Sequence, residues 1–452
     1  MRYINPIDSK IAFERLLRSP YFVDKTGLIV RIAPLIDAEQ SFVCITRPRR
    51  FGKTVNARML ACFLSRGLES SGLFEGLEAA SQPQVMAHLQ GHDAIYIDFS
   101  SLPQDCGGYP DYIGHIAGGL IEDLCRFAPL ADIPEDETDV AAALGRAFSA
   151  EGKRFCFVID EWDSMFFNPL FSEKDQRAFL MFLKQLLRSR AYVELAYMTG
   201  ILPIAKHSTG SEPNVFAEYS AIDDPRYERF FGFTEDEVRT LCERDGADRS
   251  ERMGLAGQAH RKVLFDDLKR WYDGYAASDG ASMFNPRSVV MALSDGCLRS
   301  YWAASGPCDE IYCYVKNNIA EVREDLVRMV AGESVPADMK GYAALVDLVY
   351  LAAWDHCQVR REEPADKGVA DVAFIPLNAA DARWVPFVIE LKAGGSVQDA
   401  IAQIRSRDYL ALFKDSLVGE GPSAIPLAVG IAWDPAAKTH ECAVEPLQEE
   451  IG

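Results

Sequence analysis

The sequence predicts an α/β protein with a parallel sheet in its first half, a mostly helical stretch after it, and a smaller α/β segment at the C-terminal end. Three observations predict it. Strand-like apolar runs alternate with helix-like segments through the first half, the pattern of a parallel sheet with crossover helices. The short β-prone run Phe42-Val43-Cys44-Ile45 leads through Arg47-Pro48-Arg49-Arg50-Phe51-Gly52-Lys53-Thr54 into residues 55–64, which have helical spacing. The unbroken apolar run Phe155-Cys156-Phe157-Val158-Ile159 ends in Asp160-Glu161, as expected of a strand buried on both faces.

The first element is the most informative. Strand, Gly-Lys-Thr, helix is the layout of a phosphate-binding loop. Backbone N–H groups at the helix start cradle phosphates, Lys53 neutralises them, and the Thr54 hydroxyl can hold Mg²⁺. The usual pattern has Gly where this chain has Arg47, so the tripeptide needs a second phosphate-site element. Asp160-Glu161 supplies one, because carboxylates at the C-terminal end of a buried parallel strand sit where open α/β sheets bind ligands. In such a site the first acid, Asp160, holds the metal and the next, Glu161, orients the attacking water.

Further strands are expected at residues 94–99, before the breaker-rich stretch 101–110, and at 193–198, after a helix spanning about 173–190. The last strand ends in Thr199-Gly200. A polar residue there, beside the Asp160 strand, could sense a γ-phosphate, or Thr199 could simply begin a turn. A polar loop rich in Ser, Gly, Pro and Asp is expected over 206–225, marking either a functional loop or a domain boundary. Thr234 and Glu237 then form a capping-box pattern, opening a mostly helical region that runs to about residue 335. It contains the aromatic string Trp271-Tyr272-Asp273-Gly274-Tyr275, read as core, and the turn Asn285-Pro286.

The C-terminal segment restarts with a helix-like stretch at 342–354. A charged linker is expected over 360–368, then strands at 369–376 and 384–392. Glu390 and Lys392 lie two apart and so share a strand face. If the two strands form a hairpin, Asp371 falls opposite Glu390, bringing two carboxylates and an ammonium to one face. That set suits a metal-dependent nuclease: the carboxylates bind Mg²⁺, which activates water, and the lysine positions the nucleophile or neutralises the phosphate. Gln403 and Tyr409, on a helix expected over 397–412, could face the same site. An acid next to a base is equally the pattern of a solvated cross-strand salt bridge.

Bulk properties set the frame. A chain of 452 residues is expected to form two or three domains, with 48% hydrophobic and 25% charged residues. The net charge of −20 argues against an extended basic nucleic-acid surface without excluding a local patch such as Arg47, Arg49 and Arg50. Eleven cysteines without a Cys-x-x-Cys pair, several within apolar runs, read as reduced thiols. The first residues lack a signal-peptide core and no apolar stretch is long enough to span a bilayer, so a cytoplasmic location is expected.

Arg47 to Thr54, Asp160-Glu161-Trp162-Asp163, Thr199-Gly200, Phe231-Gly232-Phe233-Thr234, Trp271 to Tyr275, Asn285-Pro286 and Tyr21-Phe22-Val23-Asp24-Lys25-Thr26 together resemble the bacterial AAA-ATPase-like family. Its members commonly carry a C-terminal nuclease-like domain of the PD-(D/E)XK superfamily, and Arg is usual at the first phosphate-loop position. The resemblance implies a P-loop NTPase core of AAA type at 1–225, a helical lid at 226–335 and a PD-(D/E)XK nuclease-like domain at 336–452. It implies ATP and Mg²⁺ as cofactors, with Arg47, Arg50, Phe51, Gly52, Lys53, Thr54, Val55, Thr199 and Asn214 at the nucleotide. Thr54 and Asp160 would bind the metal there, and Glu161 would be catalytic. In the second domain Asp371 and Glu390 would bind metal, with Lys392 and the accessory Gln403 completing the catalytic set and DNA or RNA as the substrate. Three departures stand out: Trp162 where Tyr is commoner, Val215 where a second Asn follows Asn214, and no glutamate in residues 342–354. The expected function is an ATPase whose cycle controls a nuclease; the alternative is an ATP-dependent switch or scaffold whose second domain only binds. A trans-acting arginine finger, for which Arg226 or Arg229 are candidates, would require an oligomer.

Overall fold

A computed structural model describes residues 3–168, 170–202, 216–219, 225–252, 263–276, 282–298, 301, 357–365, 368–376, 386–393, 396–406, 426–434 and 439–447. The chain divides into two compact units, Met1–Leu293 and Ser294–Gly452.

Five strands build the core of the first unit: β1 (Phe42–Thr46), β2 (Asp93–Asp98), β3 (Phe155–Asp160), β4 (Val193–Gly200) and β5 (Ala217–Tyr219). They are ordered β2-β3-β4-β1-β5, and every pairing is parallel. All six residues of β3 are buried, which explains why no polar residue interrupts the run before Asp160. Because β4 lies between β1 and β3, the end of β4 sits between the phosphate loop and the acid pair. The helix Lys53–Leu64 packs across the sheet, burying Ala57, Met59, Leu60, Ala61, Phe63 and Leu64. The helix Ile7–Leu17 covers it in turn, with Phe13 stacked on Phe74 at 4.9 Å and Phe63 edge-on to Phe74 at 5.1 Å.

Of the two readings of Thr199-Gly200, the structure bears out the strand end: they are the last two residues of β4. The polar stretch 206–225 contains the edge strand β5, whose hydrogen bonds to β1 stabilise a segment with little apolar content. The region after residue 225, expected to be mostly helical, also contains short strands. Between the helices Glu235–Arg252, Phe265–Tyr272 and Pro286–Asp295 lies an antiparallel sheet of β6 (Phe233–Thr234), β7 (Asp273–Ala276) and β8 (Ser282–Phe284), ordered β6-β8-β7. The aromatic string is thus split: Trp271 and Tyr272 end a helix, and Asp273 to Tyr275 enter β7. The Thr234–Glu237 capping box forms as expected, with the Thr234 N–H donating to Glu237 at 2.8 Å and the Glu237 N–H to the Thr234 hydroxyl at 3.4 Å.

In the second unit, β9 (Cys357–Ala365), β10 (Gly368–Pro376), β11 (Phe387–Ala393), β12 (Leu427–Asp434) and β13 (Thr439–Pro446) form a sheet ordered β13-β12-β11-β10-β9. Only the β11–β12 pairing is parallel. The helix Val397–Ser406 makes that crossover and packs on β11 and β12. Gly430 permits the close approach, since a Cβ there would lie 2.9 Å from the Val397 carbonyl oxygen. The charged segment expected as a linker over 360–368 is instead largely strand β9, at the sheet edge. Charges suit an exposed edge because they oppose pairing with another chain. The helix expected at 342–354 lies outside the described residues, as do residues 407–412.

Candidate nucleotide site

Local geometry at the end of β1 follows from two backbone positions. Gly52 has φ of +87° immediately before the helix Lys53–Leu64, and Arg50 has φ of +65°. Left-handed conformations here let the chain turn tightly from strand to helix, aiming the first helical N–H groups out of the sheet. Lys53 is buried, its side chain 2% exposed, and its ammonium lies 3.3 Å from the Pro48 carbonyl oxygen and 3.6 Å from Glu161. The Thr54 hydroxyl hydrogen-bonds Asp160. The two motifs, more than a hundred residues apart in sequence, therefore meet through both side chains of the Lys-Thr pair.

Asp160 is fully buried and accepts hydrogen bonds from the Tyr96 hydroxyl at 3.1 Å and from the Glu161 N–H at 3.1 Å. Burial, followed by the neighbouring Glu161 and Asp98 carboxylates, pushes its pKa up to about 7, against the pull of Thr54 and Lys53. A carboxylate this poorly compensated by its own protein is suited to a cation. Glu161 is half-buried and holds φ of +49°, an uncommon conformation for a side chain of this length. Strain of this kind concentrates at functional sites. At the end of β4, Thr199 is wholly buried and its hydroxyl has no hydrogen-bond partner. The β3–β4 register pairs Ile159 with Met198, so Thr199 continues the ladder beside Asp160.

Asp163 holds that strand end in place. It is fully buried, and one carboxylate oxygen accepts the N–H groups of Ile201 at 2.7 Å and Leu202 at 2.5 Å. Burial and then Glu161 drive its pKa upward. Gly200 is required beside it, because a Cβ would fall 2.5 Å from the buried Trp162 ring. Trp162 is thus accommodated by packing against a glycine.

The sequence-expected nucleotide residues divide into groups. Lys53, Thr54, Asp160, Glu161 and Thr199 converge at the ends of β1, β3 and β4. Gly52 shapes the turn. Arg50 is half-buried, its pKa lowered by burial and then by Arg287 and Arg49. Val55 is 45% exposed on the first helical turn. Arg47 points inward: its guanidinium donates to the carbonyls of Thr46 at 2.7 Å and Tyr219 at 3.0 Å and lies 5.0 Å from the Phe231 ring centre. That geometry ties β1 to β5 and accounts for a large cation at a position usually occupied by glycine. Phe51 is buried, and its carbonyl accepts the Gly232 N–H at 3.1 Å. Asn214 lies outside the described residues.

Segments beyond residue 225 clasp the loop. Asn56 donates to the Phe230 carbonyl at 2.8 Å, Asn285 to the Arg49 carbonyl at 3.4 Å, and Gly232, with φ of +85°, sits against the Phe51 ring. The N-terminal segment braces the same region: Lys25 contacts Glu237 at 2.7 Å and the Arg229 carbonyl at 2.6 Å, and the Tyr21 hydroxyl donates to Asp245 at 3.0 Å. Arg226 lies over the Tyr219 ring at 4.8 Å, and Arg229 pairs with Glu78 at 3.0 Å. Sequence reasoning missed Tyr96 and Arg58, whose side chains hydrogen-bond each other behind Asp160, and Asp98, paired in register with Asp160. An acid closing the strand Ala94-Ile95-Tyr96-Ile97-Asp98, as Asp160 closes β3, was the available signal.

In the second unit, Val372 pairs with Ile389, Ala373 with Val388 and Phe374 with Phe387. This is the strand pairing expected from the sequence. Glu390 is 2% exposed. Lys392 lies two residues further along β11, and Gln403 is half-buried on the helix Val397–Ser406.

Comparison with known proteins adds a match over part of the chain. Residues 11–209 match the family model of predicted AAA-ATPases. The match spans the phosphate loop, the acid pair and β4, and it supports ATP binding and hydrolysis by this segment. No curated protein matches the chain. Among solved structures, the Walker-type ATPase PABY2304 of Pyrococcus abyssi is similar at 13% identity, over 75% of this chain and 89% of that one, with a TM-score of 0.31. PCH-2 of C. elegans is similar at 11% identity, over 72% of this chain and 69% of that one, with a TM-score of 0.25. No described helix is long and apolar enough to cross a membrane.

Proposed function

We propose that this protein is an ATPase whose nucleotide cycle controls a C-terminal metal-dependent nuclease-like domain acting on DNA or RNA. The observation that carries the first half is the joining of the two motifs, with Lys53 at 3.6 Å from Glu161 and the Thr54 hydroxyl on Asp160. In this arrangement Lys53 rests on Glu161 and the Pro48 carbonyl. ATP draws the ammonium onto its β- and γ-phosphates, and Glu161 is then freed to orient water toward the γ-phosphorus. The Thr199 hydroxyl, buried without a partner, donates to the γ-phosphate or to that water. Thr54 and Asp160 are the residues that would hold magnesium, which when bound supplies neutralising charge to the phosphate oxygens. The clasp of Asn56, Gly232 and Asn285 on the loop gives the region after residue 225 a route by which to follow the nucleotide state.

For the second half, support comes from the β10–β11 register, in which Val372 pairs with Ile389, from the burial of Glu390, and from Lys392 two residues on in the sequence. Asp371 and Glu390 would hold the metal ion, Lys392 would neutralise the scissile phosphate, and Gln403 would assist. The second reading, a switch whose C-terminal domain binds without cutting, is favoured by the net charge of −20 and by the lack of glutamate in residues 342–354. The expected setting is the cytoplasm; assembly into an oligomer would be needed for an arginine supplied in trans.

The discriminating experiment incubates purified protein with plasmid and single-stranded DNA and RNA, with Mg²⁺ or Mn²⁺, in the presence and absence of ATP. Cleavage that responds to ATP and disappears in Lys392→Ala supports the nuclease reading. Binding without cleavage under every metal condition selects the switch.

A further inference from the structure

The opposite end of the first sheet carries a second cluster of chemically distinctive side chains. His92 immediately precedes β2, Cys156 is the second residue of β3, and Glu194 is the second residue of β4. The N-terminal ends of three adjacent strands therefore bring together an imidazole nitrogen, a thiol sulfur and a carboxylate oxygen. All three atoms lie within 4.8 Å of one another, with Cys156 buried and the other two half-buried. The His92 Nδ1 is 2.8 Å from the Glu194 Oε2, and the Cys156 Sγ is 3.7 Å from the same oxygen.

Two further features set the cluster apart from chance packing. The β3–β4 ladder pairs Phe155 with Val193 and Cys156 with Leu195, so Glu194 is the extra residue of a bulge. Bulges turn a side chain out of the regular alternation and recur beside functional sites. His92 is also fixed on its far side. Its Nε2 is 2.9 Å from the Nδ1 of His88, and its backbone is held by the Leu64 carbonyl at 3.1 Å and the Arg66 N–H at 2.8 Å. A histidine ligand characteristically uses one ring nitrogen for the metal and fixes the other by a hydrogen bond.

We propose that His92, Cys156 and Glu194 bind a zinc-like divalent transition-metal ion, with His88 as the outer partner of His92. The sulfur donor selects against magnesium and calcium, and the mixed nitrogen, sulfur and oxygen set suits zinc. One thiolate and one carboxylate neutralise a divalent ion. Arg154, 3.8 Å from the second Glu194 oxygen, is itself paired with Asp37, so the surrounding charge stays balanced. Tetrahedral bonds of about 2.0–2.3 Å place ligand atoms roughly 3.3–3.7 Å apart, within small side-chain rotations of the distances found here. His92 and Glu194 remain partly open to solvent, which leaves the fourth position to water. The site is separate from the phosphate end of the sheet.

The test is a cobalt(II) titration of the full-length, chelator-treated, reduced protein, followed by displacement with zinc. The expected result is a thiolate-to-cobalt charge-transfer band saturating at one ion per chain, lost in Cys156→Ser and abolished by zinc. Zinc affinity is expected to fall about tenfold or more in His88→Ala, as for other outer partners, and further in Glu194→Gln, while ATP hydrolysis is unchanged in both. Absence of the band in the wild type, or a band that persists in Cys156→Ser, would overturn the proposal. Should Cys156→Ser not fold, Glu194→Gln and His92→Gln decide it: undiminished zinc affinity in both contradicts the site.

Discussion

The two units each present two acids and a lysine, but assemble them differently. In the first, Lys53 comes from a helix start after β1, while Asp160 and Glu161 come from the end of β3, two strands away. Their meeting depends on the whole sheet being built, and burial then holds each group against named partners. In the second, Asp371, Glu390 and Lys392 come from two neighbouring strands of one hairpin, so a single register is enough to align them. The lesson is about what each arrangement excludes. A lysine buried against an acid from a distant strand is hard to explain as surface chemistry, whereas a cross-strand acid and lysine also occur as an ordinary salt bridge. The buried state of Glu390, at 2% exposure, is what moves the second set away from that ordinary case.

This contrast can be broken or sharpened by substitution. The largest effect is expected at Glu161. Glu161→Gln should lower ATP turnover by roughly 10²–10⁴-fold, the range for loss of a general base, while ATP still binds; steady-state phosphate release beside equilibrium nucleotide binding checks both. Under the proposed nuclease reading, Glu390→Ala should abolish metal-dependent cleavage and leave ATP turnover intact. A loss of both activities would mean that the two sets do not act as separate sites. Gly200→Ala tests the packing behind the first set. A methyl 2.5 Å from the Trp162 ring should destabilise the first unit by about 1–3 kcal/mol, as overpacked cores do, lowering its melting temperature measured by calorimetry. An unchanged melting temperature would show that Trp162 and Asp163 do not pin the end of β4.

The difference between the units also explains how much could be read from the chain. The strands β1 to β4 were legible because each carries a run of apolar residues that ends abruptly in Thr46, Asp98, Asp160 or Gly200. The register of the second hairpin was legible because the separation of its strands fixes the pairing once the turn is placed. β5 and β9 were not, since edge strands carry the polar residues that elsewhere mark loops: Glu218 in one, Arg360, Arg361, Glu362 and Glu363 in the other. At the site, Lys53, Thr54, Asp160 and Glu161 announce themselves by spacing. Arg47 does not, because whether its guanidinium faces a phosphate or the Tyr219 carbonyl depends on β5. Tyr96, Arg58 and Asp163 escaped for the same reason: each acts through a partner that only the sheet order brings near. His92, Cys156 and Glu194 belong to this class too, lying at the starts of three successive strands and adjacent only once β2, β3 and β4 are aligned.

The central claim is that Lys53 is the phosphate-binding cation of an ATP site completed by Asp160 and Glu161. ATP hydrolysis by Lys53→Ala in Mg²⁺, compared with wild type at equal folded concentration, tests it most directly. Turnover should fall by about 10²–10³-fold, the cost of removing one preorganised charge-stabilising donor. Undiminished hydrolysis in a folded Lys53→Ala protein would contradict the claim.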